Sequence, residues 1–427
     1  MAMAFKFIKT NLCVTLLLLL AARVAWAAAP TTEPAGLTAL TAAALANNPG
    51  IAAAQKQSDA ALLKLSPAAS LPDPELMIES MDNPLGSTMK PMTQGFAFSW
   101  IQMVPFPGKL DAAAAKAQAE ADLARETYRM KVADLQKDIG LMYYGIATLD
   151  ARLAVEAKKQ KQLEVLGAVI AAAYTNGKAT LSEFIRTNNL RAMVTTDRLA
   201  MEAERAKMVA DLTALLGQAI PKGTVFTYQF ASLGKLPAEQ DVTEKVRANF
   251  PELLMQQAME RRMAAEANTM RLESLPDFTL QAKLNTMTNG AKTYSVGVAI
   301  PLPLFYQTKQ GPLVGSADAM KAATSLERAA VENRIVQTVR ARYLALQKAN
   351  EVLPLYQNTI KSGTQQAFDV ALKDYQISRI GFNELIETLQ ALYDTQSGLE
   401  QAKQRVMEER VYLDFYTVNT LRWEEKS

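Results

Sequence analysis

The chain contains one short motif twice, at residues 174–185 and 375–386. The first copy reads Tyr-Thr-Asn-Gly-Lys-Ala-Thr-Leu-Ser-Glu-Phe-Ile, and the second reads Tyr-Gln-Ile-Ser-Arg-Ile-Gly-Phe-Asn-Glu-Leu-Ile. A tyrosine, a basic residue, a large apolar residue, a glutamate and an isoleucine recur at a constant offset of 201 residues. Each copy lies between two long helical patterns and is predicted to form the tip of a helical hairpin. Two copies of one hairpin predict a two-fold internal repeat.

The N-terminus has the features of an export signal. A short basic region precedes an apolar run from Leu12 to Ala22, and Ala25-Trp-Ala27 is a typical cleavage site. We therefore expect residues 1–27 to be removed as a signal peptide. A retained membrane helix is the alternative, but the apolar run is short for spanning a bilayer.

The side-chain inventory argues against an enzyme. Cys13, the only cysteine, lies inside the predicted signal peptide, and the sequence contains no histidine. The mature protein would therefore lack disulfides and the usual Cys/His ligands of zinc, haem and catalytic sites. The sequence also has no P-loop and no acidic cluster with metal-site spacing. Its net charge of +3 is too small to argue for nucleic acid. We expect no cofactor, no metal site and no nucleic-acid partner.

Each half of the chain contains a switch from helix to strand. The tetrapeptides Leu71-Pro-Asp-Pro74 and Leu275-Pro-Asp-Phe278 end helical patterns, because proline cannot continue a helix. Apolar and polar residues then alternate within 74–104 and 277–301, over about ten residues per strand, which is typical of transmembrane β-barrel strands. Each strand pair ends in a Pro-x-Pro exit. A soluble sheet packed on a helix is the alternative.

Long helical hairpins follow both exits. From Lys109 to about Tyr174 the sequence has no proline, and its apolar residues step alternately by four and three, as in a coiled coil. The return helix is predicted from about Leu181 to Leu216, with Gly217 as its C-cap. In the second hairpin Pro354 is predicted to kink the first helix.

Four strands are too few to close a barrel on their own. An open sheet edge in lipid would leave backbone groups unpaired at several kcal/mol each. If the strands cross a membrane, several protomers must therefore share one barrel, and their hairpins would bundle into a tube. The predicted segments are a signal peptide (1–27), a first repeat (28–220, with strand pair 74–104 and hairpin 109–217), a second repeat (236–420, with strand pair 277–301 and hairpin 309–418) and a C-terminal tail (421–427).

The order and duplication of these motifs resemble the TolC-type outer-membrane efflux proteins over essentially the whole mature chain. The resemblance implies a mainly α fold with a β-barrel part. It also implies a homotrimer with a 12-stranded barrel in the outer membrane and an α-helical tunnel in the periplasm. The implied function is a passive exit duct for a tripartite efflux pump, a multidrug efflux pump or a type I protein-secretion system. The partners would be outer-membrane lipid, a periplasmic adaptor (membrane fusion protein) and an inner-membrane transporter of RND type. Residues 72–74 and 104–109 look most like the heavy-metal branch (cobalt–zinc–cadmium or copper).

The resemblance also assigns roles to the hairpin tips. The tips meet the adaptor in this family, so the expected contact residues are Asn176, Gly177 and Lys178 in the first copy and Ile377, Ser378 and Arg379 in the second. Ser378 stands where glycine is usual, which leaves the geometry of the second turn open.

The start of each return helix narrows the tunnel in this family. The expected aperture residues are Glu384 and Glu387, with Glu183 and Arg186 at the matching positions of the first copy. Because Glu384 and Glu387 are three residues apart on a helix, both can face the lumen, where repeated carboxylates would attract cations. An Arg186–Glu384 or Arg186–Glu387 contact would lock a closed state. A solvated helix face is the alternative.

Two other classes of protein remain open from the residues alone. A periplasmic coiled-coil adaptor or scaffold would have one hairpin, whereas this chain has two. A stand-alone porin would have far fewer helical residues.

Five methionines cluster on the first strand pair and its loop, namely Met77, Met81, Met89, Met92 and Met103. Thioethers suit Cu(I), but methionine more often fills a core or faces lipid, so metal contact is the weaker interpretation of this cluster.

Overall fold

The computed structural model describes residues 36–80, 95–221, 223–228, 236–287 and 290–418. The predicted signal peptide and the C-terminal tail lie outside the described residues. So do the loop 82–93 with Met89 and Met92, and also Met81.

The first half of the chain begins with helices and continues through one strand pair to a hairpin. Asn48 caps the second helix, because its side-chain oxygen accepts hydrogen bonds from the backbone N–H groups of Gly50 (2.8 Å) and Ile51 (3.2 Å). Pro49 occupies the first helical turn, where its missing N–H costs nothing. The elements are α1 (Leu37–Asn47), α2 (Pro49–Leu63), α3 (Leu65–Ala68), β1 (Glu75–Ser80), β2 (Gly95–Val104), α4 (Lys109–Thr175) and α5 (Leu181–Leu216).

The second half repeats this order. Its elements are α6 (Glu239–Asn249), α7 (Pro251–Glu273), β3 (Phe278–Met287), β4 (Lys292–Ala299), α8 (Gln310–Pro354), a π-helical turn (Leu355–Ile360), α9 (Lys361–Gln376) and α10 (Phe382–Tyr416). The predicted strand pairs and hairpins therefore form. Gly217 ends α5 with a φ of 65°, the left-handed C-cap that the sequence predicts. Among the described helices, none combines the length and the apolar character needed to cross a membrane.

The four strands form one antiparallel sheet in the order β1-β2-β3-β4. The two halves of the chain meet at its centre, where Ser99 of β2 lies opposite Lys283 of β3. Lys283 bridges diagonally over β2 to Glu79 of β1 at 2.9 Å. On the opposite face, Leu76 lies opposite Trp100, and Leu284 lies opposite Tyr294. The apolar face is largely exposed, with Tyr294 reaching 84%.

The chain divides into two compact units, and one of them contains both hairpin tips. That unit comprises Met1–Asn47, Ile139–Phe230 and Glu351–Glu408. Its core joins the two hairpins, because side chains from both contribute to one buried cluster: Val155, Leu163, Leu166, Ile170, Val194, Phe368, Ala371, Phe382, Leu385, Ile386, Leu389, Leu392 and Tyr393.

The other unit contains the sheet and comprises Asn48–Asp138, Ala231–Asn350 and Glu409–Ser427. Phe250, fully buried before α7, packs edge-on against Phe415 with ring centroids 5.2 Å apart. Charged pairs join α7 to α8, including Arg271–Asp318 at 2.5 Å. In this unit α7 also contacts α4, where Lys116 pairs with Glu266 at 2.5 Å.

The π-helical turn after Pro354 explains a change in the repeat offset. Tyr143 and Tyr343 are 200 residues apart, and both hydroxyls donate to a backbone carbonyl at 2.9 Å, Tyr143 to Thr227 and Tyr343 to Pro237. At the tips the offset is 201 residues. A π-helical turn accommodates one inserted residue. The turn lies directly after Pro354, where the sequence predicts a kink.

Candidate functional site

The first hairpin tip is a tight turn that ends α4. The backbone N–H of Lys178 donates to the carbonyl of Ala173 (2.8 Å), and that of Gly177 donates to Tyr174 (3.0 Å). This pair of bonds is a Schellman motif. Gly177 has a φ of 69°, in the left-handed region that glycine adopts without a steric penalty.

The second tip has the same geometry with a different residue. Arg379 N–H donates to the carbonyl of Asp374 (2.8 Å), and Ser378 N–H donates to Tyr375 (3.0 Å). Ser378 has a φ of 58°. The substitution of serine for glycine therefore leaves the turn unchanged. It places an L-residue in the left-handed region, at a cost of about 1–2 kcal/mol.

The six predicted tip residues are all exposed. Ile377 is 66% exposed, which is unusual for a large aliphatic side chain at the end of a hairpin. Lys178 and Arg379 occupy matching positions beside the two turns. Arg379 makes a loose contact with Asp374 at 3.4 Å. The tips thus present apolar and basic groups together, a combination suited to contact with another protein.

Glu183 has a structural role that the sequence prediction did not give it. Its carboxylate accepts a hydrogen bond from the backbone N–H of Thr180 (2.9 Å), and the Thr180 hydroxyl accepts from the Glu183 N–H (3.2 Å). This capping box begins α5. The pattern Thr-x-x-Glu was visible in the sequence. In the second copy Gly381 replaces Thr180, so Glu384 cannot form the same reciprocal pair.

Arg186 contacts Asn383 and neither of the two predicted glutamates. Its guanidinium donates to Asn383 Oδ1 at 2.6 Å. Within this protomer, the expected Arg186–Glu384 or Arg186–Glu387 contact is therefore not made. The physical reason is the rotation of α10, because the residues next to these glutamates point into the core.

Glu384 and Glu387 lie on the exposed side of α10. Leu385 and Leu389, which are fully buried or nearly so, fix this rotation. The spacing of three residues places both carboxylates on one face, and Asp394 continues the exposed face two turns later. Within the described ranges, the carboxylate groups of Glu384 and Glu387 form no hydrogen bond and no ion pair. Both carboxylates are free to interact with solvent, mobile cations or another chain.

A buried carboxylate lies deeper in the same unit. Glu156 of α4 is 8% exposed, and its Oε2 has no hydrogen-bond partner within the described residues. Lys159 lies 4.0 Å away on the next turn. Burial raises the pKa of Glu156, and nearby Asp197 and Asp394 raise it further, while Lys159 and Arg152 oppose the shift. No sequence pattern distinguished this residue from a surface glutamate.

The described residues contain no group of three or more His, Cys, Asp or Glu side chains that could hold a metal ion. Met77 and Met103 lie on strands, on the same face of the sheet as Ser99. The other members of the predicted methionine cluster lie outside the described residues. The candidate site consists of a pair of exposed carboxylates, Glu384 and Glu387, and two exposed turns.

Solved structures share this fold over about nine tenths of the chain. The structure of CusC matches with a TM-score of 0.80 at 15% identity, covering 90% of this chain and 92% of CusC. The outer membrane protein VceC of Vibrio cholerae matches with a TM-score of 0.74 at 17% identity, covering 89% of this chain and 95% of VceC. The outer membrane channel MtrE of Neisseria gonorrhoeae, solved in an open state, matches with a TM-score of 0.74 at 14% identity, covering 92% of this chain and 91% of MtrE.

These likenesses define the class of the fold, that of outer-membrane channels with long helical hairpins. The predicted fold class is thereby confirmed. Residues 242–417 match the family model described as outer membrane efflux protein. This match lies in the second half of the chain and agrees with the predicted resemblance to TolC-type proteins. No curated protein sequence matches it significantly.

Proposed function

We propose that this protein is the outer-membrane exit duct of a tripartite efflux pump, a homotrimer that conducts its substrate passively. The observation that carries the proposal is the sheet. Its apolar face is exposed, and its edge strands β1 and β4 each have only one strand neighbour within the described sheet. Unpaired backbone groups in lipid cost several kcal/mol each, so further copies of the chain must close the sheet into a barrel.

The hairpin tips are the proposed contact with a periplasmic adaptor. Asn176, Gly177 and Lys178 form one contact, and Ile377, Ser378 and Arg379 form the other. Their exposure supports this role, and so does the combination of Ile377 with two basic residues. An inner-membrane transporter of RND type would supply the energy, because a duct of this kind has no energy source of its own.

Glu384 and Glu387 are the proposed aperture residues. Both lie on the exposed face of α10, one turn beyond the tip. Repeated around a trimer axis, these carboxylates would favour cations and repel one another unless hydrated or ion-bound. Arg186 would act on the aperture indirectly through Asn383, and Glu183 through the cap of α5.

Metal cations are the proposed substrate class. The segments 72–74 and 104–109 resemble the heavy-metal branch, and the fold of CusC supports the same branch by its likeness. The acidic aperture would favour cations by its charge. Multidrug efflux and type I secretion remain the alternatives.

Gene deletion and complementation test this function. A strain lacking the gene should accumulate metal ions or become sensitive to them, and the wild-type chain should restore export. The double variant Glu384→Gln/Glu387→Gln should change the rate at which metal ions are exported. The matched control Glu327→Gln alters an exposed glutamate of α8 and should behave as wild type. Recovery of the protein in the soluble periplasm would contradict the duct and favour an adaptor or scaffold.

A further inference from the structure

The junction between β2 and α4 is held by one aspartate from the other half of the chain. Asp277 Oδ1 accepts a hydrogen bond from the backbone N–H of Phe106 (2.8 Å). The same oxygen forms an ion pair with Lys109 Nζ (2.7 Å). Lys109 Nζ also donates to the carbonyl of Leu275 (2.8 Å). The rings of Phe106 and Phe278 stack, with centroids 6.3 Å apart. We call this arrangement the Asp277 clamp.

The acceptor and both donors of the Asp277 clamp have counterparts in the other repeat, whereas its stacked rings do not, because Pro74 stands at the position of Phe278. Asp73 in the first Leu-Pro-Asp segment corresponds to Asp277 in the second, and Leu302 in the second Pro-x-Pro exit corresponds to Phe106 in the first. Lys309 is 200 residues from Lys109, the same offset that relates Tyr143 to Tyr343. The chain therefore contains a second acceptor, a second backbone donor and a second lysine.

These counterparts do not meet in one protomer. Asp73 precedes β1 and Lys309 follows β4, and these strands are the two opposite edges of the sheet. Within the described part of the chain, no partner engages the side chain of Asp73, the side chain of Lys309 or the backbone N–H of Leu302. Leu302 is 71% exposed, whereas its counterpart Phe106 is half-buried. An acceptor and two donors are left without partners at opposite edges.

We propose that Asp73 of one protomer clamps the β4 exit of a second copy of the chain. Its carboxylate accepts from Lys309 Nζ and from the Leu302 N–H of that copy. The interface therefore repeats, between chains, the contact that Asp277 makes within a chain. This inference rests on the proposed oligomeric duct and deepens it by naming the residues that join its subunits.

The strand register supports the same pairing. Val104 lies opposite Phe278 in the β2–β3 pair. Carrying this register over to the counterpart segments places Ile300 of one copy opposite Pro74 of the next. Val298 then faces Leu76, and Val296 faces Ile78, so the apolar faces of the two sheets join without interruption. A slip by one residue in either direction would set Glu75 or Glu79 of β1 opposite a valine of β4.

Paired cysteines test the proposal with a matched control. The only native cysteine, Cys13, lies in the predicted signal peptide, so introduced thiols would be the only ones in the mature chain. The test variant is Asp73→Cys/Lys309→Cys, and the control is Asp277→Cys/Lys109→Cys. Both are treated in outer membranes with a short thiol-to-thiol crosslinker and separated on denaturing gels. The test variant should give dimer and trimer bands, while the control should remain a monomer.

Swapping the two charged residues tests the same contact if the cysteine variants assemble poorly. Asp73→Lys and Lys309→Asp should each weaken the oligomer in detergent, and the double variant should restore it. Monomer bands for Asp73→Cys/Lys309→Cys, in a protein that is an oligomer on native gels, would overturn the clamp and leave the duct standing. A wild-type protein that forms no oligomer would contradict the proposed duct itself.

Discussion

Replacing Asp277 by alanine should loosen the junction between β2 and α4. The substitution removes the acceptor of the Phe106 N–H and one of the two acceptors of the Lys109 ammonium, which is 14% exposed. A hydrogen bond to a charged group contributes about 1.5–3 kcal/mol, and an unsatisfied buried donor costs about 1–3 kcal/mol. Because the Asp277 side chain is 31% exposed, water compensates part of the loss, and we expect about 2–3 kcal/mol in total.

Hydrogen exchange at Phe106 measures this loss locally. Pro105 and Pro107 have no N–H, so a short peptide from this segment reports mainly on the Phe106 amide. A loss of 2–3 kcal/mol corresponds to exchange that is about 30- to 150-fold faster. Asp277→Asn keeps an acceptor oxygen but loses the charge, so its effect should be intermediate. The control Glu327→Ala changes an exposed carboxylate of α8 outside the clamp and should leave the Phe106 amide unaffected.

The same contact should depend on pH. Burial alone would raise the pKa of Asp277, but the hydrogen bonds from Lys109 and Phe106 outweigh it, and the pKa is lowered. The stabilisation is therefore present above the ordinary aspartate pKa and is lost as the pH falls through the lowered value. Phe106 exchange should accelerate at low pH in the wild type but not in Asp277→Ala, after correction for intrinsic exchange. Equal protection in wild type and Asp277→Ala would refute the clamp.

Three further predictions concern the hairpin unit. Glu156→Gln should raise the free energy of unfolding by about 1 kcal/mol at neutral pH and should change it little at about pH 4. Because the pKa of Glu156 is raised, the protonated carboxyl stabilises the fold, and this stabilisation is lost as the pH rises. Denaturant unfolding at both pH values measures the difference. Gly177→Ala should destabilise the first tip and Ser378→Gly should stabilise the second, each by about 1 kcal/mol. Amide hydrogen exchange should therefore be faster at the first turn of Gly177→Ala and slower at the second turn of Ser378→Gly. Thr180→Ala should remove the capping box and lower helix stability at the start of α5 by about 0.5–2 kcal/mol, visible as faster exchange there and not at the start of α10.

Local sequence chemistry determined most of the element boundaries. Pro49 and Pro251 begin α2 and α7, and Pro105 and Pro301 follow the ends of β2 and β4. Gly217 in the left-handed region ends α5 at the predicted residue. Alternation over the strand pairs predicted which faces are apolar, and the register confirms it. These signals act over a few residues, so a single sequence is enough to read them.

Contacts between the repeats could not be predicted in the same way. The Asp277–Lys109 pair depends on β2 and β3 being neighbours, which is a property of the sheet order. The contact of Arg186 with Asn383 depends on the rotation of α10, which is fixed by packing around Leu385 and Leu389. The raised pKa of Glu156 depends on burial by helices from both hairpins. The capping box at Thr180 and Glu183 is different, because its pattern was present in the sequence.

Ion conduction by the purified protein tests the proposed duct most directly. The oligomer is extracted from outer membranes, inserted into a planar lipid bilayer and held under an applied voltage without nucleotide or transporter. The proposal predicts stepwise, cation-selective currents, with lower cation selectivity in Glu384→Gln/Glu387→Gln and wild-type selectivity in Glu327→Gln. An oligomer that inserts into the bilayer but passes no ions, in the wild type and in the glutamine variants alike, would contradict the account.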